Sequence, residues 1–369
     1  MNVELLPAAA LSAQYQERWN EIRRSNPDLA SPFFHPEFTL AVARTHDDVE
    51  VAVVDEGGQA IGFFPFHRRR FRYAKPVGGP LSDYHGLIVA PGVQVDAREL
   101  LRACNLAVWP FDHVLASQSM FEGFAEVRTE SPIIDLRDGF QAYVDSRKRT
   151  GSNRISQLQR KARKIARELG PVRLEVHVDD PRMLEQIIRW KSEQCCRTGN
   201  YDFFSDQAAV RLVRDIATTK VDGFEGLVSV LYAGDSIAAA HMGMRADQVL
   251  HWWFPAYERS LSKYSPGGIL LIELAREIAE LGVTTLDLGK GDDSYKASFM
   301  TGSVPLIEGA VDVPSVAALA RRTRIRAERW VRCSPVMEPI RQVIRRVRRK
   351  SSSQLQNRHR GLAGPHRSP

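Results

Sequence analysis

The run Tyr264-Ser265-Pro266-Gly267-Gly268 gathers residue types suited to holding an anion. Ser265 suits the N-cap of a helix, Pro266 suits its first position, and the two glycines leave the first-turn amides bare of side chains. Such a helix start attracts phosphate, because its unpaired amides and macrodipole point the same way and glycine permits close approach. A well-capped core helix carries the same signature. Farther on, Asp287-Leu288-Gly289-Lys290-Gly291-Asp292-Asp293-Ser294-Tyr295-Lys296 puts a carboxylate at a strand end, glycines in a turn, and Tyr295 and Lys296 early in a helix. Strand ends beside glycine turns are where open sheets gather ligands.

The elements that must position these residues are mixed α and β. Residues 49–54 and 60–66 read as a hairpin about Glu56-Gly57-Gly58, followed by a helical stretch over 97–108 and strands at 86–89, 113–116 and 132–136. A second unit begins near Phe140 with a long basic helix over 146–169, closed by Gly170-Pro171. A strand at 172–176, helices over 181–197 and 206–218, and a three-stranded meander (227–232, 237–244, 249–254) follow. The polar run up to Tyr264 then carries strand into helix. That helix, over 266–281, has Leu270, Leu271, Leu274, Ile278 and Leu281 on one face. A strand at 284–288, a short helix near 293–299 and a strand at 304–308 complete the unit. The pairs 51–66 and 227–244 share a strand-turn-strand form, which suggests an internal duplication.

The segment from His251 to Phe299 closely resembles the CelD-like acetyltransferases, a GNAT-superfamily group associated with cellulose and exopolysaccharide biosynthesis and similar to the Fem transferases. The residues that carry the resemblance are Trp252-Trp253-Phe254-Pro255-Ala256-Tyr257, Tyr264-Ser265-Pro266-Gly267 and the run from Asp287 to Lys296. It covers most of residues 30–312 and fades in the tail. It implies an α+β chain of two GNAT-like halves, each a mixed, mainly antiparallel sheet flanked by helices, plus a basic helical tail. Residues 1–139 would be a degenerate acceptor-side half, 140–312 the acyl-CoA-binding domain, and 313–369 the tail. The implied donor is acetyl-CoA or another acyl-CoA, held by Tyr264, Ser265, Pro266, Gly267 and Gly268. The superfamily's common pyrophosphate loop, Gln/Arg-x-x-Gly-x-Gly/Ala, is replaced here by Tyr-Ser-Pro-Gly-Gly.

Acyl transfer to a hydroxyl or amine needs a base for the nucleophile's proton and an acid for the leaving thiolate. Tyr295 is the candidate acid, or a core tyrosine bonded locally. His241 and Asp287 are the candidate bases, against a packed histidine and an Asx cap on the glycine turn. Trp252 and Trp253 alternate across a strand, so one faces the core and the other the opposite side, where it could stack on a sugar; two core tryptophans are the rival reading. Asp83, Tyr84 and His85, in a polar loop entering a strand, are candidate acceptor-binding residues together with Lys296, or part of a simple turn. Cys195 and Cys196 have no histidine partner in the pattern, so direct attack on the thioester is expected.

Composition narrows the setting. Four cysteines, none in metal-ligand spacing, fit a reducing cytoplasm and no bound metal. No basic leader precedes an apolar run, and no stretch reaches the roughly 18 apolar residues of a spanning helix. The net charge of +7 belongs to the tail, which from Val313 carries 15 Lys and Arg against 2 Asp and Glu, so nucleic acid is not the expected partner. Val336, Ile340, Val343, Ile344 and Val347 with their arginine neighbours read as a basic amphipathic helix, suited to an anionic membrane surface or an acidic protein. The expected activity is acyl transfer to a polysaccharide precursor or related small molecule, at the cytoplasmic face of the inner membrane or free in the cytoplasm. A Fem-like transferase using aminoacyl-tRNA and a non-catalytic binding module of an exopolysaccharide assembly are the alternatives.

Overall fold

In the computed structural model, which describes residues 2–291 and 294–315, the chain lays out one order of elements twice. The first pass is β1 (Asn2–Pro7), α1 (Ala13–Ser25), α2 (Pro36–Ala43), β2 (Val49–Glu56), β3 (Gln59–Arg69), β4 (Tyr73–Pro76), a two-residue β5 (Ile88–Val89), α3 (Ala97–Ala103), β6 (Val108–Leu115) and β7 (Ala125–Asp135). Two helices, α4 (Gly139–Arg149) and α5 (Arg154–Leu169), lead to the second pass. It comprises β8 (Val172–Val176), α6 (Pro181–Thr198), α7 (Gln207–Thr218), a two-residue β9 (Lys220–Val221), β10 (Phe224–Ala233), β11 (Ser236–Ala246), β12 (Val249–Tyr257), α8 (Pro266–Glu280), β13 (Thr285–Asp287), α9 (Ser294–Ala297) and β14 (Gly302–Asp312). The tail helix expected from Val336 to Val347 lies outside the described residues.

One sheet joins the halves, in the order β1-β2-β3-β4-β6-β14-β7-β13-β12-β11-β10-β8. Each half contributes its last strand to the other: β14 lies between β6 and β7, and β7 between β14 and β13. Each half holds one parallel pair, β4 with β6 and β12 with β13, while the remaining strand pairs are antiparallel. The expected α+β architecture of two similar halves is therefore the observed one.

Three elements differ from the sequence reading. The basic helix expected over 146–169 is two helices, because Gly151 adopts φ +80° in the link between α4 and α5. The helix expected to reach residue 108 stops at Ala103, and Val108 and Trp109 are buried strand residues of β6. The strand expected to end at residue 254 runs on to Tyr257, and within the polar run Arg259–Tyr264 form a short 3-10 turn.

Helices cover both faces of the second half's sheet, which accounts for the two tryptophans. Trp252 packs with Leu250 and with Leu270, Leu271 and Leu274 of α8, whereas Trp253 packs on the opposite face with Phe254 and with Leu184 of α6. The alternation holds, yet neither indole is an outer platform, since both are at least nine-tenths buried. Burying each α8 leucine stabilises the fold by about 1.5–3 kcal/mol, so α8 is a rigid mount for what lies at its ends. Leu281, expected on the same apolar face, sits past the helix end and is exposed.

Candidate active site

β12 and β13 pair only from Val249↔Thr285 to His251↔Asp287 and then part. The opening between them is a cavity of about 510 Å³. Trp252, Trp253, Pro255, Ala256 and Tyr257 form one wall, Leu288, Gly289 and Lys290 another, and the start of α8 (Ser265 to Gly268) closes one end. Tyr295, Lys296, Asp83, Arg154 and Lys191 also line it, with Gln194, Ser262 and Phe299.

The helix start works differently from the expected N-cap. Ser265 is in the left-handed region (φ 58°, ψ 53°), and its side chain caps no amide of α8. Its Oγ instead accepts a hydrogen bond from Lys161 Nζ of α5 at 2.7 Å. A lysine ammonium and the positive end of a helix macrodipole thus converge, an arrangement that repels itself until an anion joins it. Gly267 and Gly268 border the cavity, but a Cβ on Gly268 would fall 2.9 Å from Leu158, so that glycine also serves the packing of α8 on α5. Tyr264 points away: its hydroxyl donates to Glu168, and it does not line the cavity.

At the other end, three ionisable groups from both halves line up. His251 Nε2 lies 2.8 Å from Asp83 Oδ2, and His251 Nδ1 is 3.8 Å from Asp287 Oδ1. Tyr84 donates to Asp287 Oδ2 at 2.5 Å, Ser131 to Oδ1 at 2.7 Å, and the Gly289 amide to Oδ1 at 2.8 Å. Gly289 (φ +72°) is required where it stands, since a Cβ there would lie 2.8 Å from Asp83 Oδ2. Burial opposes charge on His251, but the two carboxylates outweigh it and raise its pKa to about 9. Burial likewise pushes Asp83 and Asp287 upward, and the imidazolium between them brings both below the ordinary carboxylate range. Tyr84, desolvated and beside Asp287, is held far above a free phenol. His251 is fully buried and Asp287 nearly so; Asp83, whose side chain is 26% exposed, presents the trio to the cavity.

The residues singled out in the sequence therefore divide. Asp287, Asp83 and Tyr84 meet in one network, and Asp83, Trp252, Trp253, Tyr295, Lys296, Ser265, Pro266, Gly267 and Gly268 border the cavity. The Lys296 ammonium donates to the carbonyls of Gly289 and Lys290, so it braces the glycine turn. His241 does not reach the cavity. It is wholly buried, stacked 4.2 Å from Trp252, and burial with the nearby His251 charge depresses its pKa to about 3. His85 turns away as well, toward Asp112 and His113. The residue that sequence reasoning passed over is His251. Its only signal was a polar side chain in an aromatic strand, and the pairing that sets it between two carboxylates joins residues 168 positions apart.

Residues 152–297 match the model of the acetyltransferase (GNAT) domain, and the class defined by domain and cavity is an acyl-CoA-dependent acyltransferase. Among solved structures, the chain is similar to FemX, with 11% identity and a TM-score of 0.55 over 86% of this chain and 99% of that one. It is also similar to the C-terminal domain of a protein assigned as a lysylphosphatidylglycerol synthetase from Agrobacterium fabrum, with 15% identity and a TM-score of 0.52 over 84% and 95% of the two chains. At these identities the likeness is one of fold. No curated protein sequence matches the chain.

Proposed function

We propose that this chain moves an acetyl group from acetyl-CoA to a hydroxyl or amine of a polysaccharide precursor or related small metabolite, by direct attack in the cavity. The observation that carries the reading is that one cavity runs from a helix start flanked by Lys161 to the partly exposed carboxylate of Asp83. CoA pyrophosphate suits the first end, and the pantetheine arm suits the groove where β12 and β13 part.

In the reaction the acceptor's nitrogen or oxygen attacks the thioester carbon and the carbon–sulfur bond breaks. Asp83 takes the nucleophile's proton, and Tyr295 returns one to the departing thiolate. His251 holds Asp83 in place and ionised, and Asp287 keeps His251 charged. This moves the base from the expected pair, His241 and Asp287, to Asp83, because neither of those side chains lines the cavity.

Arg154 and Lys191 on the cavity wall favour a phosphorylated acceptor such as a nucleotide sugar. The exposed cations Arg160, Arg163, Lys164 and Arg167 along α5 support a second reading, a Fem-like donor in which RNA carries the acyl group. The two part on binding: the RNA reading predicts steeply salt-dependent affinity and no CoA binding. Acetyl-CoA consumption measured against amino sugars, nucleotide sugars and glycan precursors tests the proposal. Acceptor-dependent release of CoA with an acetylated product supports it, and no release with any acceptor or acyl-CoA contradicts it.

A further inference from the structure

We infer that His113 and Asp112 form the exit route for the proton that Asp83 takes from the acceptor, carrying it from the cavity to solvent through the first half of the chain. The inference rests on the acyl-transfer reading. A neutral nucleophile leaves its proton on the base while the thiolate takes one from Tyr295, so each turnover must discharge the first group and recharge the second. An ammonium acceptor releases one further proton overall. Asp83 therefore needs a path outward.

The side it shares with His251 is closed. His251 is fully buried, and behind it the Asp287 oxygens are taken by Tyr84, Ser131 and the Gly289 amide. The other side is open. Asp83 Oδ1 faces His113 Nε2 at 3.7 Å, a gap that a small side-chain rotation or one bridging water closes. The second ring nitrogen, His113 Nδ1, is buried 3.0 Å from Asp112 Oδ1, close enough that a small turn of either side chain aligns a hydrogen bond that the resting geometry does not make. Side-chain exposure is 26% at Asp83, 14% at His113 and 58% at Asp112, so the route leads from the cavity through a shielded imidazole to water. An imidazole with a carboxylate at each nitrogen can accept on one side and release on the other.

The remaining charged or titratable groups around the route are His251, Asp287, His85 and Lys290. His85 Nδ1 lies 3.3 Å from Asp112 Oδ1 and is buried, with its pKa lowered to about 3, so it stays neutral. The Lys290 ammonium donates to the Asp112 carbonyl oxygen and pairs with Glu308; burial pushes the Asp112 carboxyl up, but its contact with His113, and to a smaller degree Lys290, brings it down to about 2, so a proton that reaches it passes on to water.

His113→Gln and Asp112→Asn in the full chain test the route. Steady-state turnover is followed with pH and with rising imidazole buffer, with circular dichroism as the control for folding. At low buffer the expected loss in kcat is about tenfold, below the ~10²–10⁴ of a group that touches the reacting atoms. Imidazole restores it, and KM for acetyl-CoA is unchanged. Wild-type turnover in both variants, or a loss in folded protein that imidazole does not repair, overturns the route. Loss of activity on chelation, restored by added zinc, also overturns it, by assigning His85, Asp112 and His113 to a metal. Asp83→Asn separates the layers: if that variant turns over normally, the assignment of Asp83 as base is wrong, whatever His113 shows.

Discussion

α3 and α8 hold equivalent places in the two halves, each between a pair of parallel strands, and they begin differently. α3 starts at Asp96, whose carboxylate accepts the Glu99 amide at 2.8 Å, so the helix supplies its own anion. α8 starts at Ser265, whose side chain caps no amide and holds a lysine instead. The strand gaps beside them differ in the same sense. Past the single pair Tyr73↔Val108, the space between β4 and β6 is entered by the chain itself, with His85 bridging to Val114. Past His251↔Asp287, the space between β12 and β13 is the cavity. The first half has filled its cleft with its own loop, and that same loop delivers Asp83 and Tyr84 to the second half's site. In the proposed reaction one half holds the donor, and the other supplies a base.

The largest effect expected from breaking this division is at Asp83. Asp83→Asn keeps the shape and removes the base, so kcat should fall by ~10²–10⁴ with little change in KM for acetyl-CoA. Equal losses in kcat and in donor affinity would move Asp83 to binding. Next is to give α8 the beginning of α3: Ser265→Asp places a carboxylate where the CoA phosphates belong. It should weaken acyl-CoA binding roughly 10–100-fold, about 1.4 kcal/mol for each tenfold, without loss of thermal stability. Calorimetry reads this directly, and an unchanged Kd would place the phosphates elsewhere.

A smaller effect concerns the joint between the halves. His251 is raised to about 9 by Asp83 and Asp287, so its stabilising contribution is complete below its unfolded value of ~6.5 and is lost as pH rises through about 9. The melting temperature should therefore decline between pH 7 and 10, and decline less in His251→Gln, whose overall stability is lower. Parallel pH profiles for the two proteins would contradict the charged trio. The smallest expected change is Lys161→Met, a few-fold loss in donor affinity that added salt masks.

Much of this division was written locally and some of it was not. The meander of β10, β11 and β12, the helix α8 and the glycine turn after Asp287 follow from alternation, helical spacing and turn residues, all of which act over a few positions. The split of the basic helix at Gly151 was less legible, since a single glycine in a charged run costs a helix only about 1 kcal/mol. Ser265 reads as a cap by residue type, and its left-handed backbone is set by the 3-10 turn before it. The trio was beyond local reading, because Asp83, His251 and Asp287 meet only when β7 and β14 exchange places between the halves.

The claim that two similar halves make one donor site is tested most directly by titrating acetyl-CoA into the wild-type chain in a calorimeter. The account predicts saturable binding with one site per chain, abolished or severely weakened by Ser265→Asp. Two sites per chain, or no binding at high micromolar acetyl-CoA, would contradict it.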